Sequence, residues 1–272
     1  MKQLFGLALV LLLGMTCLWA QKDLSDPGQY LDTFMRVRGD ASGKEVVYHW
    51  TGTVYSYIPG ERRRELFEFE GFNVARTVVK DDGFELLTRE AAFFKDTRTG
   101  KILETWHNPM TNTEIPVVHI WNDPVNQDIT FSDEYMPYIH RILPSADLGD
   151  HLVFYMDLFP FYTSPLPRRD FAEFSQSDMY QAAEFFQFFV SKADIDNPKL
   201  STLPNHISWT RISPWMPFMR MGDREGNLVF VCRGRKLPNG WNDIPEHISD
   251  YVSRHNPVFQ TAPDVFLEPN ET

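Results

Sequence analysis

Apolar residues along this chain recur mainly with a period of two, the alternation that predicts strands with one buried face. From Glu45 the run EVVYHWTGTVYSYI alternates through β-branched and aromatic residues. It turns at Pro59-Gly60 and resumes as ELFEFEGFNVARTVV, the pattern of a long hairpin. Asp81-Asp82-Gly83 leads into a third strand, FELLTREAAFFKD (84–96), which Thr97-Arg98-Thr99-Gly100 closes; Lys101 to Trp106 and Val117 to Trp121 follow as shorter ones. These connections are short and rich in Gly, Asn, Asp or Pro, so consecutive strands are expected to pair as an antiparallel meander. A Pro- and Tyr-bearing stretch after Asn126 ends in HRILPSADLGD, read as an irregular crossover before the apolar strand HLVFYMDLFPFY. In SQSDMYQAAEFFQFFVSK (175–192), Ser175 and Asp178 resemble a helix start, whereas Phe residues on both faces favour a strand. His206 to Ser213 and Asn227 to Arg235 predict two more strands around the compact loop PWMPFMRMGDREG, read as a plug or a lid. Helices are few. Tyr30 to Met35 suggests a short one that packs the N-terminus, and Pro245 to Arg254, with proline in its first turn and Asn256-Pro257 as its stop, is the clearest. Roughly seven to nine antiparallel strands in meander order predict an all-β fold: a single β-barrel, lipocalin-like in architecture, with a C-terminal helix. Closure would remove the exposed edges of such a meander.

The N-terminus departs from this pattern. Met1-Lys2 precedes an apolar run from Leu4 to Leu13, too short to cross a bilayer as a mature helix, and small residues end at Ala20. That form predicts a Sec-type signal peptide over residues 1–20, a periplasmic or secreted protein, and one domain over residues 21–272. Gly14-Met15-Thr16 before Cys17 matches a lipoprotein signal poorly, so no lipid anchor is expected. No later run is apolar enough over sufficient length to span a membrane. The net charge of the 272 residues is −11, and one unit more negative once Lys2 leaves; an acidic surface repels phosphate backbones, and nucleic acid is not an expected partner. Only Cys232 of the two cysteines outlasts the signal, so no intramolecular disulfide or cysteine-based zinc site is expected. Inside LVFVCRGRK it reads as a buried small hydrophobe.

Residues two apart in a strand share a face, and this parity sorts the polar groups. Glu70 aligns with Phe72, Val74 and Arg76; Glu90 aligns with Thr88, Leu86, Ala92 and Phe94; Trp209 aligns with Arg211, Ser213 and Trp215. A charge on an inward face must be paired or costs several kcal/mol, so Glu70, Arg76, Glu90 and Arg211 are expected to meet. They form either a buried ion-pair network or the lining of a cavity walled by Trp106, Trp121, Trp209 and Trp215. Between Trp106 and Asn126, the corners Asn108-Pro109 and Asp123-Pro124 are explained by turn chemistry. Asn122, Asp123 and Asn126 nevertheless cluster at one strand end beside His119. His119, flanked on its face by Val117 and Trp121, is a candidate acid-base group that Asp123 would orient, and Glu90 is the other candidate proton carrier. The chain has no His-x-His or His-Glu-x-x-His pair, no Gly-rich phosphate loop, no nucleophile elbow and no dinucleotide fingerprint. It therefore points to no metal site and leaves any cofactor open.

EGFNVAR (70–76), LTREAAFF (87–94), TGKILETWHNP (99–109), WNDPVN (121–126) and SWTRISPWMPFMRMG (208–222), in this order, resemble a bacterial and fungal family of exported proteins catalogued as the domain of unknown function numbered 1838. The resemblance covers most of the mature chain and implies no activity, cofactor or substrate. Family members often carry twin-arginine signals; this chain has only Lys2 before its apolar run, which departs from that pattern and points to the Sec route. Three readings follow from the residues. The first is an exported barrel that binds a small, largely apolar or aromatic molecule, with Arg76, Arg211 and Asn108 fixing its polar end. The second is a cofactor-free isomerase, cyclase or lyase in which Glu90 or His119 moves a proton and Arg76 or Arg211 stabilises an oxyanion. The third is a structural protein with a filled barrel.

Overall fold

A computed structural model describes residues 22–123, 125–130 and 146–266. The signal-peptide segment, Pro124 and most of the expected crossover lie outside the described residues. The long alternating runs form the strands expected of them, β1 (Val46–Tyr57), β2 (Arg64–Lys80) and β3 (Gly83–Lys95), whereas the strands expected at Lys101 to Trp106 and Val117 to Trp121 are corrected to the short β4 (Thr105–Asn108) and β6 (Ile120–Asn122), with β5 (Thr113–Pro116) and β7 (Gln127–Thr130) in addition. After β8 (Ala146–Asp147), β9 (His151–Leu158) and β10 (Phe161–Thr163), the Phe-rich segment makes β11 (Met179–Gln181) and β12 (Ala183–Ser191). The chain then adds β13 (Asn205–Ser213) and β14 (Asn227–Lys236). Two helices matter here, α1 (Pro27–Arg38) and α2 (Glu246–His255). No helix among the described residues is long and apolar enough to cross a membrane.

Ten strands share one antiparallel sheet in the order β6-β3-β2-β1-β14-β13-β12-β9-β8, with β7 also pairing β3. The fold is mostly β, as expected, but two expectations are corrected. The order is not a simple meander, because β1 lies between β2 and β14. Nor is any sheet closed into a barrel among the described residues. The strands at the two edges span three, four and two residues (β6, β7 and β8), too few to build a closing ladder. The sheet instead curls until inner-face residues of β3 and of β9 line one cavity.

Both faces of the sheet are covered, and this decides where the parity classes go. On the inner face Phe67, Phe69, Phe94 and Phe230 form a core, with Phe69 centred 5.3 Å from Phe94 and 5.1 Å from Phe230. On the outer face Val47, Phe72, Val74, Ala91 and Phe93 are buried under Ile248 and Val252 of α2 and Phe259 beyond it. Glu70 and Arg76 belong to this outer class, Glu90 and Arg211 to the inner one. The expected meeting of all four does not occur.

α1 begins where Asp26 accepts the Gln29 N–H at 2.8 Å and Pro27 supplies a fixed φ. It extends beyond the expected Met35 to Arg38, and Tyr30 and Phe34 pack on Phe154 at 5.9 and 6.3 Å. Its last carbonyls are held from the sheet: the buried Lys236 ammonium donates to the carbonyls of Arg36 at 2.9 Å and Gly39 at 3.1 Å. The helix end, and Arg38 with it, is thereby fixed against β14. At the other end of the inner core, Phe218, Met219 and Met221 of the Pro- and Met-rich loop are buried against it. The plug reading describes this loop better than the lid.

Trp50 on β1 faces glycine on both neighbouring strands, Gly71 of β2 and Gly234 of β14. A Cβ at Gly71 would stand 2.7 Å from Trp50 Cζ2 and 2.7 Å from the Ala91 carbonyl oxygen. Gly71→Ala is expected to displace the indole and strain the β2–β3 ladder, costing ~2 kcal/mol. Urea denaturation measures this, and an unchanged midpoint would mean the sheet yields there without strain.

Candidate functional site

Inside the curl lies a cavity of about 220 Å³. Trp50, Trp209, Phe186 and Phe188 supply aromatic wall, and Arg38, Glu90, Asn122, Glu184 and Arg211 supply the polar groups. Strand periodicity accounts for the aromatic and acidic lining. Glu184, Phe186 and Phe188 are consecutive inner-face positions of β12, Trp209 and Arg211 of β13, and Glu90 of β3. Asn122 reaches Glu90 because β6 pairs with β3 in the register Glu90 to Asn122, and its amide donates to Glu90 Oε1 at 3.3 Å. From the helix side, Arg38 donates to Gln127 Oε1 at 3.4 Å and Met156 Sδ at 3.6 Å, and its guanidinium lies 5.2 Å from the centre of the Phe188 ring. One side chain therefore spans from the β3–β7 side of the sheet to the β9 side.

The four charged groups are held differently. Arg211 Nη1 pairs with Glu184 Oε1 at 3.1 Å, Arg211 also donates to the Tyr180 hydroxyl, and the Trp209 indole N–H donates to Glu184 Oε2 at 3.0 Å. Burial opposes the Arg211 charge, but Glu184 and Tyr180 outweigh it and hold its pKa above the usual arginine value. Glu90 lacks such support. Burial, followed by the Glu184 charge, pushes it up to about 7 against the opposing pull of Arg211, Asn122 and Arg38. Burial lowers the pKa of Arg38, with Tyr48 and Glu90 acting in the other direction. The cavity thus combines a carboxyl that titrates near neutrality, a neutralised Arg–Glu pair and a cation with no carboxylate at salt-bridge distance among the described residues. The Trp50 indole N–H, buried in the same wall, has no hydrogen-bond partner among the described residues.

Of the residues singled out in the sequence, Glu90, Asn122, Trp209 and Arg211 line this cavity. Asn126 supports it from behind, accepting the Thr88 N–H at 2.8 Å where Thr88 lines the wall. His119 does not reach it: Nδ1 accepts the Phe94 N–H at 3.2 Å, and the ring packs among Phe93, Phe94 and Tyr251. Burial lowers its pKa, as for a core histidine. Asp123 pairs with Arg89 Nε at 2.8 Å rather than orienting His119. Trp121 is part of the outer-face cluster, 5.3 Å from Phe93 and 4.9 Å from Phe259.

Trp106 packs on Phe67 at 4.6 Å, and Trp215 donates its indole N–H to the Arg224 carbonyl at 3.0 Å; neither lines the cavity. Asn108 is fully buried, donates to the Met219 carbonyl at 2.9 Å and accepts from the Met110 N–H at 2.9 Å, which makes it the pin of the plug loop. Arg76 pairs with Glu45 and Asp264, each at 2.9 Å.

Glu70 accepts from His49 Nε2 at 2.9 Å, Lys95 Nζ at 2.5 Å and His247 Nε2 at 3.0 Å, a network that ties α2 to the outer face. Burial alone would raise its pKa, but these three donors win and hold it at about 2. Cys232 is buried, and burial pushes its thiol up to about 12, in keeping with a packing role. Among the described residues no group of three or more His, Cys, Asp or Glu is placed to hold a metal ion.

Sequence reasoning missed Arg38, Trp50, Tyr180 and Glu184. Parity could have found Glu184, which alternates with Phe186 and Phe188 as Glu90 does with Ala92 and Phe94.

The chain belongs to the family described as proteins of unknown function, DUF1838, whose model matches residues 43–272. Searches of curated proteins and of solved structures returned no match.

Proposed function

We propose that this member of the DUF1838 family binds a small, largely apolar or aromatic molecule in the cavity between β3, β12 and β13. The observation that carries the reading is the lining: the aromatic rings of Tyr48, Trp50, Phe186, Phe188 and Trp209 around a space with two carboxyls and two guanidinium groups at its boundary. Binding sites of small molecules combine apolar walls with a few converging polar groups in this way. An engineered apolar cavity of roughly 150 Å³ accommodates benzene, so a space of about 220 Å³ suits one substituted ring. A structural protein with a filled interior has no need of this space. The reading also places the protein outside the cytoplasm, on the signal-like form of residues 1–20, and N-terminal sequencing of the mature protein tests that part. Native mass spectrometry of protein purified from its host, followed by release and identification of the bound mass, tests the binding itself. A protein that comes off empty, and whose Trp50 and Trp209 fluorescence responds to no aromatic compound, would refute it.

The titration of Glu90 favours a second reading, a cofactor-free acid-base enzyme such as an isomerase, cyclase or lyase. A carboxyl with a pKa of about 7 is divided between its acid and base forms at neutral pH, as a general acid-base group must be. Arg211, already compensated by Glu184, is the candidate partner for a developing oxyanion. In this reading Glu90→Gln lowers turnover by about 100-fold or more while ligand affinity changes by less than about threefold. Equal loss of both would remove Glu90 from proton transfer and leave it a binding residue.

A further inference from the structure

Two guanidinium groups and two carboxyls line the cavity, but only one of each is joined in an ion pair. Arg211 is neutralised by Glu184 at 3.1 Å, and Glu90 is hydrogen-bonded to Asn122. Arg38 has no carboxylate at salt-bridge distance among the described residues. A guanidinium offers five N–H donors in a planar fork, and the side-chain acceptors that Arg38 meets are an amide oxygen at 3.4 Å and a thioether sulfur at 3.6 Å. Both contacts are long and neutral. A carboxylate would replace them with charge-assisted bonds of about 2.7–2.9 Å, two at once.

Several features prevent Arg38 from turning out to solvent for this purpose. Its helix is anchored by Lys236 on the carbonyls of Arg36 and Gly39, and the Arg36 guanidinium is bound to the Ile195 and Leu200 carbonyls at 3.0 and 3.2 Å. The Phe188 ring lies against the guanidinium from within the cavity. The Tyr48 hydroxyl cannot serve as an anion there, since it donates to the Val37 carbonyl at 2.5 Å.

We propose that the cavity selects a small aromatic monocarboxylate, whose ring lies among Trp50, Trp209, Phe186 and Phe188 and whose carboxylate docks on Arg38. The proposal rests on the cavity-binding reading and names its ligand class. A single carboxylate is specified because Arg38 is the lining cation with no carboxylate at salt-bridge distance among the described residues, while Glu90 and Glu184 in the same lining repel a second. The volume leaves room for one ring and a short arm.

The test compares phenylacetate with its neutral counterpart phenylacetamide by calorimetry and tryptophan fluorescence, in wild type, Arg38→Met and Arg38→Lys. The expected result is at least about tenfold tighter binding of phenylacetate by wild type, the worth of one charge-assisted contact. Arg38→Met should abolish that preference while phenylacetamide affinity stays within about threefold, and Arg38→Lys should retain part of it, since a point charge replaces a fork. Equal affinity of the two probes for wild type would overturn the carboxylate selection and leave the cavity reading standing. A preference that survives in a folded Arg38→Met would overturn the role of Arg38. Should neither probe bind wild type, both the selection and the cavity reading fall; the wild-type comparison needs no variant to fold.

Discussion

Glu70→Gln will lower the stability of the folded protein by about 3 kcal/mol at neutral pH, and the deficit will vanish in acid. Glu70 is nearly inaccessible and accepts three charge-assisted or imidazole hydrogen bonds, which hold its pKa at about 2 against a usual value of 4.5. A carboxyl whose pKa is depressed on folding stabilises the native state above its unfolded pKa, at about 1.4 kcal/mol per unit. That contribution is complete above about pH 4.5 and is lost as pH falls towards 2. The amide variant keeps the shape and removes the charge, leaving Lys95 and both imidazoles facing a group that accepts at only one atom. Urea denaturation of the two proteins between pH 7 and pH 3 measures the effect. Parallel curves with a constant gap across that range would mean that packing rather than charge accounts for Glu70. Because His247 lies on α2, the early part of acid unfolding should be the release of that helix, visible as exposure of Tyr251 and Trp121.

Glu90→Gln will act in the opposite direction, stabilising the protein by up to about 3 kcal/mol at pH 8 and leaving it nearly unchanged at pH 4. The Glu90 pKa is raised to about 7, so its ionised form is penalised only in the folded state. For such a group stability is full below the unfolded value of 4.5 and is lost as pH rises through 7. The variant does not titrate and escapes the loss. Thermal denaturation at pH 4, 6 and 8 follows the divergence; a variant less stable than wild type at pH 8 would mean that the Asn122 bond outweighs desolvation. Taken together, Glu70 and Glu90 confine their joint contribution to a maximum near pH 4.5. A carboxyl whose ionised form costs the fold stability at neutral pH is a common feature of functional sites, and of structural networks as well.

The local elements were legible because local chemistry determines them. Alternation around Pro59-Gly60 defines the β1–β2 hairpin, the Phe residues of 183–191 resolve into β12, and Pro245 with Asn256-Pro257 brackets α2. Parity also grouped Glu90 with Thr88 and Trp209 with Arg211 correctly. It could not say which class faces inward, because a sheet covered on both sides buries apolar residues on both: Phe72 and Phe93 outside, Phe69 and Phe94 inside. Glu70 was therefore grouped with Glu90 although the sheet separates them. Arg38 has no periodic signature at all. Its place depends on where α1 stops, and that is set by Lys236, almost two hundred residues away in the chain. The same non-locality hid the sheet order, since nothing near β1 in the sequence announces β14 as its neighbour.

That neighbour relation has a consequence for how the protein is made. Tyr48 pairs with Lys236 and Tyr57 with Asn227, so the middle of the sheet is a junction between its first strand and its last. Until residues 227–236 are available, β1 presents a bare row of backbone donors and acceptors along the length of a twelve-residue strand. A nascent chain can fold β1 to β3 early, but it completes the centre of the sheet only after residues 227–236 have emerged. Until β14 pairs with it, that edge of β1 is open to other strands.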